Sequence, residues 1–209
     1  MIMKTILILI FVYLLGSISG SIIVSKNFFK EDIRLKGSGN AGTTNAFRAY
    51  GVKYAALAMS IDFIKTILAM LIADKVGLAI GASEFTKYIS GVVVVIGHIW
   101  PIYYNFKGGK GVACSIMVNL YLSPIIVIIQ LIEFFTLNYI LRIMSITSLI
   151  LTYSAVIYQF IKNDNLPLLI MLIINAIIIT YSHRENVKRL FEGKENKIER
   201  LGKKWIFQY

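Results

Sequence analysis

Three polar stretches interrupt an otherwise apolar chain, and their residue types are suited to holding phosphate. They are Gly37–Arg48 (GSGNAGTTNAFR), Gly97–Cys114 (GHIWPIYYNFKGGKGVAC) and His183–Glu195 (HRENVKRLFEGKE). Together they supply glycine amides that can curl into an anion-binding nest, Arg and Lys cations, and hydroxyl or amide hydrogen-bonders. Membrane-crossing segments do not need such residues. We therefore predict a phosphate-handling site at a membrane surface.

The first stretch combines glycines with hydrogen-bond donors and one arginine. Arg48 adds a rigid positive fork that fits phosphate, and the stretch leads into a helix whose N-terminus also attracts anions. The alternative is a flexible turn in which Thr44 or Asn45 caps the next helix. The residues we expect to take part here are Ser38, Gly39, Asn40, Gly42, Thr43, Thr44, Asn45 and Arg48.

The second stretch places Gly108-Gly109-Lys110-Gly111 directly before a helix that begins near Val112. This arrangement also suits phosphate. It is not a Walker A loop, because Tyr104 and Gly111 stand where that motif needs Gly and Ser or Thr, so a nucleotide hydrolase is disfavoured. The alternative is a basic loop whose glycines close a turn. We expect His98 to be structural, bonded to a backbone carbonyl, with a catalytic role as the alternative.

The third stretch predicts a short basic helix. His183, Asn186 and Leu190 share one face of it, so the first two can turn toward the other stretches. The alternative is a juxtamembrane helix that binds lipid headgroups.

Composition indicates an integral membrane protein of one domain, residues 1–209. Of the 209 residues, 57% are hydrophobic, and the formal net charge is +11. A basic balance could indicate nucleic acid, but most Lys and Arg residues flank the three polar stretches, as the positive-inside rule predicts for cytoplasmic loops. We therefore expect no nucleic-acid partner, a lipid bilayer around the chain, the three stretches and the C-terminus inside, and the N-terminus outside.

The predicted fold is an all-α bundle of about seven transmembrane helices. The first spans are Thr5–Val24, Val52–Asp74 and Lys87–Tyr103, and the last is Leu166–Tyr181. At 1.5 Å per residue, Val112–Ile161 is too long for one crossing. If the polar stretches share one side, this segment supplies an odd number of spans, so we predict three, broken at Ser123–Pro124 and near Arg142–Ser145.

Several smaller features carry expectations of their own. Asp62 and Lys65 are spaced to pair inside the second span, whereas Glu133 has no obvious partner. The N-terminus could be a cleaved signal peptide, but Gly16 and Gly20 equally fit a retained helix that packs closely on another. Cys114 is the single cysteine. The tail Lys197–Tyr209 suits the membrane interface.

The three motifs, in this order, resemble those of the bacterial membrane family of acyl-phosphate:glycerol-3-phosphate acyltransferases, the PlsY type. Ser38-Gly39-Asn40 through Asn45 and Arg48 is similar to its SGN-G-TN-x-x-R loop. Gly97-His98, Pro101 and Phe106–Gly111 resemble its GH-x-x-P…FKGGKG run, and His183–Glu195 resembles its HREN-x-x-R-L-x-x-G-x-E segment. The resemblance covers essentially the whole chain.

This resemblance implies a bacterial cell-membrane enzyme with its site on the cytoplasmic side and with no metal or other cofactor. An acyl phosphate would donate its chain to the 1-hydroxyl of sn-glycerol 3-phosphate, giving 1-acylglycerol 3-phosphate and phosphate. The residues that would carry catalysis are Ser38, Arg48, Lys110, His183 and Asn186. Those that would bind substrate are Gly39, Asn40, Gly42, Thr44, Asn45, Lys107, Gly108, Gly109 and Gly111.

The general base stays open between His183 and the substrate's own phosphate, which the resemblance favours. An acylated Ser38 is a third route, without a visible serine–base pairing. Two other classes remain: an anion transporter, for which the spans carry few polar residues, and a lipid-binding protein, which would tolerate loss of Ser38 and the GGKG glycines. The His-x4-Asp pattern of other acyltransferases is absent, since Tyr103 and Lys188 occupy the fifth positions after the two histidines.

Overall fold

The computed structural model describes residues 2–197, and every regular element in that range is helical. Two 3-10 turns are present, Ile33–Leu35 just before the first polar stretch and Ile102–Tyr104 within the second. A π-helical turn, Ile72–Val76, follows the third helix. The α-helices are α1 Ile2–Gly16, α2 Gly20–Phe29, α3 Thr43–Leu71, α4 Gly77–Ala79, α5 Thr86–Ile99, α6 Val112–Leu122, α7 Pro124–Ile140, α8 Met144–Lys162, α9 Leu166–Ser182 and α10 Arg184–Phe191.

The long apolar segment after the second stretch forms three helices, as the sequence predicts. α6 ends at Leu122 and α7 begins at Pro124, because proline is accepted in the first turn of a helix but not in its interior. α7 ends at Ile140 and α8 begins at Met144. The short connections place these helices side by side.

The first span differs from its predicted form. The chain breaks between Gly16 and Gly20 into two helices, and the second continues to Phe29. The Ser19 side chain caps α2 by accepting from the amide of Ile22. A capping serine at this point offers the backbone an alternative to a continuous helix, which apolar periodicity alone does not reveal.

Glycines allow the closest helix contacts in the bundle. A Cβ added to Gly16 would lie 2.7 Å from the carbonyl oxygen of Val94, and one added to Gly97 would lie 2.7 Å from that of Tyr13. α1 and α5 are therefore packed backbone to backbone. Gly20 approaches Ala58 of α3 in the same way. This packing is what the retained-helix interpretation of the N-terminus requires.

α5 is the central helix of the bundle, and its C-terminal end leads into the second polar stretch. It packs against α1, α9, α6 and α3, and its Val94 and Val95 are fully buried. α6 lies between α3 on one side and α7 on the other, and α8 packs against both α7 and α9. The ends of α2, α5 and α9 carry the three polar stretches.

Three helical segments of the described range are long and apolar enough to cross a membrane: Ile2–Phe29, Thr43–Ala79 and Met144–Lys162. A fourth is added if Leu166–Ser182 and Arg184–Phe191, which meet at 58°, count as one broken span. α6 and α7 are apolar but shorter. The fold is thus all-helical where it is described, while the count of seven spans and the orientation of the termini stay predictions. Apart from Lys197, the predicted interfacial tail lies outside the described residues.

Candidate active site

The three polar stretches meet around one cavity of about 220 Å³. Its polar walls come from the connection before α3, the start of α6, and the junction of α9 with α10. Apolar residues of α3, α6, α7 and α8 complete the lining. The sequence-predicted residues that line the cavity are Ser38, Asn40, Gly42, Thr43, Thr44, Asn45, Arg48, Lys110, Gly111, His183 and Asn186. His98, which we expected to be structural, lines it as well.

The remaining predicted residues, Gly39, Lys107, Gly108 and Gly109, do not line the cavity. The amides of Gly108 and Gly109 donate to the carbonyls of Ile99 and His98, at 3.0 and 3.1 Å, so they are used within the loop. Lys107 is exposed. The structure therefore gives the two glycines a part in shaping the second loop.

Asn45 holds the first loop together from beneath. Its side chain is 1% exposed, and its amide nitrogen donates to the carbonyls of Ile33, Lys36 and Asn40. Its Oδ1 accepts from the amide of Ser38 at 2.9 Å. These four hydrogen bonds fix the curve of the loop and turn Ser38 toward the cavity. Arg34 joins the first loop to the second by donating to the carbonyl of Tyr104 at 2.7 Å.

Two helix N-termini point at the cavity. Gly42, the N-cap of α3, and the first residues of that helix line one wall, and Gly111, the N-cap of α6, lines another with Val112 and Ala113. The first amides of a helix lack partners within it, and the helix dipole adds positive potential there. The cavity therefore offers two sets of donors suited to anions.

A hydrogen-bonded network links the second and third stretches across the cavity. Lys110 Nζ donates to Asn186 Oδ1, and Asn186 Nδ2 donates to Glu195 Oε1 at 2.6 Å. Glu195 also accepts from Ser145 Oγ at 3.0 Å and from Arg189 Nε at 2.8 Å. Asn186 is thereby oriented by one charged group on each side.

Charge and burial change the proton affinities of this network. Burial lowers the pKa of Lys110 to about 8, against the opposing effect of Glu195 and reinforced by Arg189 and Arg48. Burial raises the pKa of Glu195, but the hydrogen bonds donated by Asn186, Arg189 and Ser145 outweigh it and leave the pKa below its ordinary value. The carboxylate is therefore ionised, and it anchors the basic residues around it.

His183 is held in one tautomer at the junction of α9 and α10. Its ring is 2% exposed, and Nδ1 lies 2.8 Å from the carbonyl oxygen of Ile179. A carbonyl can only accept, so the proton is on Nδ1 and the lone pair is on Nε2. The third stretch thus contributes a nitrogen that can accept a proton, although His183 precedes the helix on which the sequence analysis placed it.

Several lining residues were not predicted as site residues. Arg189 and Glu195 stand in the third motif, and the spacing within that motif is the signal that could have found them. Ser145, Ser148 and the apolar side chains carry no local signal, because only helix packing brings them to the cavity. These apolar residues include Met59, Phe63, Ile116, Phe134, Met144 and Leu151.

Two predictions about charged groups inside the bundle have different outcomes. The pairing of Asp62 with Lys65 is confirmed, with 2.9 Å between Oδ1 and Nζ. The expectation that Glu133 lacks a partner is wrong, since Ser154 Oγ on α8 donates to its Oε2 at 2.6 Å. Ser154 faces α7 only because the two helices pack.

Comparison with known proteins identifies the family. The family model for glycerol-3-phosphate acyltransferase matches residues 6–193. The chain belongs to the glycerol-3-phosphate acyltransferase family. It is 43% identical to the enzyme of Finegoldia magna over 89% of this chain and 92% of the relative, and 36% identical to that of Aquifex aeolicus over 93% and 100%.

A solved structure of the family has the same fold. The crystal structure of PlsY, an integral membrane glycerol 3-phosphate acyltransferase, in its glycerol 3-phosphate form superposes with a TM-score of 0.87 at 34% identity and covers 98% of this chain and 99% of that one. Its lysophosphatidic acid form gives 0.83 over 94% and 96%. The chain is thus an integral membrane acyltransferase of lipid synthesis.

Proposed function

We propose that this enzyme transfers a fatty acyl group from an acyl phosphate to the 1-hydroxyl of sn-glycerol 3-phosphate. The products are 1-acyl-sn-glycerol 3-phosphate and inorganic phosphate. One observation carries the proposal: Arg48, Lys110, Arg189 and two helix N-termini surround the polar end of a cavity whose other end is apolar. Two phosphates and one acyl chain have this distribution of charge and hydrophobicity.

The apolar end suits the acyl chain. Met59 and Phe63 lie one turn apart on α3, Ile116 lies one turn into α6, and Phe134 and Leu151 face them from α7 and α8. α3 and α7 both pack against α6, on opposite sides of it. The apolar side chains between them form a groove along α6. In a bilayer this groove would let an acyl chain enter sideways.

The chemistry needs placement and charge neutralisation more than a strong catalyst, because an acyl phosphate is already an activated anhydride. The acceptor oxygen attacks the carbonyl carbon, the bond from that carbon to the phosphate oxygen breaks, and the phosphate leaves with the bonding electrons. Arg48, Lys110 and the amides at the start of α3 and α6 would neutralise the two phosphates and the developing oxyanion. Ser38 and Asn186 would orient the reactants.

The hydroxyl proton has two acceptors in this scheme. Nε2 of His183 has a free lone pair, and the departing phosphate is the other. The third route, acylation of Ser38, is less favoured, since no hydrogen bond joins Ser38 to a histidine among the described residues. Trapping an acyl-Ser38 adduct would reverse that order.

We further propose that the site faces the cytoplasm of a bacterial cell membrane and that the N-terminus lies outside. The support is the concentration of Lys and Arg around the three polar stretches, which share one end of the bundle. No nucleic acid and no metal is required by the residues assigned above.

The decisive experiment incubates purified protein with acyl phosphate and labelled glycerol 3-phosphate, followed by lipid extraction. We expect labelled 1-acylglycerol 3-phosphate from acyl phosphate and none from acyl-CoA. Arg48→Ala and Lys110→Ala should each lose nearly all transfer while they elute as folded protein, whereas Lys36→Ala, an exposed cation of the same first loop, should keep it. Uptake of label into vesicles without acyl product would instead favour a transporter.

A further inference from the structure

A group of three charged or ionisable side chains lies inside the bundle and has no part in the mechanism above. It consists of Asp62 and Lys65 on α3 and His98 at the end of α5, with exposures of 0%, 3% and 4%. Lys65 Nζ lies 2.9 Å from Asp62 Oδ1 and 3.0 Å from His98 Nδ1. Charges at this depth are costly unless they are paired, and they usually serve a function.

Part of this group secures the break between α1 and α2. Lys65 Nζ donates to the carbonyls of Gly16, at 2.9 Å, and Ile18, and the amide of Gly20 donates to Asp62 Oδ1 at 3.2 Å. These bonds satisfy backbone groups that the break leaves open. They do not explain why an imidazole stands on the other side of the ammonium.

His98 is the link between this group and the second polar loop. An ammonium can only donate, so we assign Nδ1 of His98 as its acceptor and place the ring proton on Nε2. Nε2 is the edge that faces the loop: a Cβ added to Gly109 would lie 2.1 Å from it. The ring therefore lies directly against the Gly109 backbone, where only glycine fits.

The backbone at the end of α5 completes this contact. The carbonyls of His98 and Ile99 accept from the amides of Gly109 and Gly108, and a Cβ on Gly108 would lie 2.1 Å from the His98 oxygen. The loop follows the surface of His98 for two residues. Lys110 comes next, and α6 begins at Val112.

We propose that Asp62, Lys65 and His98 form a positioning unit for acyl transfer. Lys65 and Asp62 fix the imidazole, the imidazole and its carbonyl fix Gly108 and Gly109, and these set where Lys110 and the N-terminus of α6 meet the acceptor's phosphate. His98 lines the cavity, whereas Asp62 and Lys65 do not, and we assign none of the three a contact with the reacting atoms. This proposal rests on the proposed function, and within it we assign the second loop and the N-terminus of α6 to the phosphate of glycerol 3-phosphate.

The test measures steady-state constants for both substrates in His98→Asn and Asp62→Asn, per unit of folded protein. Misplacement of a binding group by about 1 Å can cost as much as 100-fold, so we expect KM for glycerol 3-phosphate to rise about tenfold or more. KM for acyl phosphate should stay within about twofold. The double variant should have the same KM for glycerol 3-phosphate as His98→Asn alone, because both changes act through the imidazole ring.

Glu133→Gln is the matched control, since it removes another intramembrane carboxylate that is hydrogen-bonded to a neighbouring helix. It should leave both KM values unchanged. A second cycle combines Gly109→Ala, which collides with the ring, with His98→Ala, which removes it. We expect KM for glycerol 3-phosphate to rise less in the double variant than the product of the two single-variant increases.

Two results would overturn the proposal. One is a loss of activity in His98→Asn and Asp62→Asn that disappears when rates are corrected for folded protein. The other is independent, multiplying effects of Gly109→Ala and His98→Ala. A rise in KM for acyl phosphate alone would support the positioning unit but overturn the assignment of this loop to the acceptor, whereas a wild-type protein without transfer would refute the proposed function itself.

Discussion

Lys110 is a cation of the site whose pKa is lowered by burial and by its basic neighbours. It lies in a loop near Arg48 and Arg189, it donates to Asn186, and burial is the main reason that its pKa falls to about 8. Below that pH the ammonium is present to receive a phosphate, and above it the side chain becomes neutral. The charge of the empty site therefore changes in the mildly alkaline range.

We predict that kcat/KM for glycerol 3-phosphate falls above about pH 8, by up to tenfold per pH unit. This ratio reports groups of the free enzyme, and the phosphate itself does not titrate there, because its second pKa is about 6. Lys110→Arg keeps its charge throughout and should show no such fall up to about pH 9.5. A flat wild-type profile over the same range would contradict the shifted pKa.

Glu195 offers a second prediction at the level of single residues. Its carboxylate accepts from Ser145, Asn186 and Arg189, so Glu195→Gln should lower the free energy of unfolding by about 2 kcal/mol, as hydrogen bonds to charged groups do. Glu192→Gln, at an exposed ion pair with Lys194, should cost less than about 1 kcal/mol. Thermal unfolding in detergent measures both.

The sign of the pH dependence of this difference follows from the lowered pKa of Glu195. A carboxylate whose pKa is depressed by folding contributes its stability above the unfolded pKa and loses it as pH falls through the folded one. The difference in free energy of unfolding between wild type and Glu195→Gln should therefore become smaller as the pH falls into the acid range. A gap that widens there would be inconsistent with an ionised Glu195.

At the scale of elements, the kink in α3 decides how a polar site is joined to an apolar groove. Gly51 has φ 81° and ψ −178°, inside a helix that runs from Thr43 to Leu71. The turn before it carries Arg48, and the longer part after it carries Met59 and Phe63. α3 thus supplies both the polar end and the apolar end of the cavity, from the two sides of its kink.

We predict that Gly51→Ala costs about 1–3 kcal/mol and also lowers the transfer rate. Nothing lies within 4 Å of an added Cβ, so the cost comes from backbone strain alone, and its relief would shift the turn that holds Arg48. Ala56→Gly, at an exposed position of the same helix, should cost up to about 1 kcal/mol and keep the rate. Equal rates in the two variants would show that the kink has no effect on catalysis.

At the scale of the whole molecule, the cavity and the α8–α9 turn lie at opposite ends of the long helices. The polar stretches follow the ends of α2, α5 and α9, whereas Lys162–Asn165 joins the end of α8 to the start of α9. α8 is long and apolar enough to cross a membrane, so its two ends would face different compartments.

This arrangement predicts the labelling pattern of single-cysteine variants in intact cells. On a Cys114→Ser background, Asn163→Cys should react with a membrane-impermeant maleimide from outside, and Lys107→Cys should react only after permeabilisation. The native protein should react poorly in both cases, because Cys114 is fully buried. Reaction of both engineered cysteines from the same side would refute the proposed topology.

Local patterns in the sequence were sufficient to predict most of the helices, the membrane setting and three stretches able to hold phosphate. Apolar runs specify helices through the cost of leaving backbone groups unpaired in lipid, and Pro124 marks a helix start through its missing amide hydrogen. The loop at Gly108–Gly111 could be predicted for a similar reason, because its glycines and lysine are adjacent in the sequence and directly precede a helix. The pairing of Asp62 with Lys65 followed from helical periodicity.

Packing of the helices against one another sets which residues share the cavity and which neighbours each of them contacts. The amides of Gly108 and Gly109 donate to carbonyls at the end of α5. Arg189 and Glu195 form an ion pair in the network around Lys110. Phe134 and Leu151 line the groove. The break after Gly16 and the Ser154–Glu133 bond also depend on neighbouring helices. Contacts such as that of Ser154 with Glu133 join residues on different helices, so they are set by packing between helices, which no local spacing encodes.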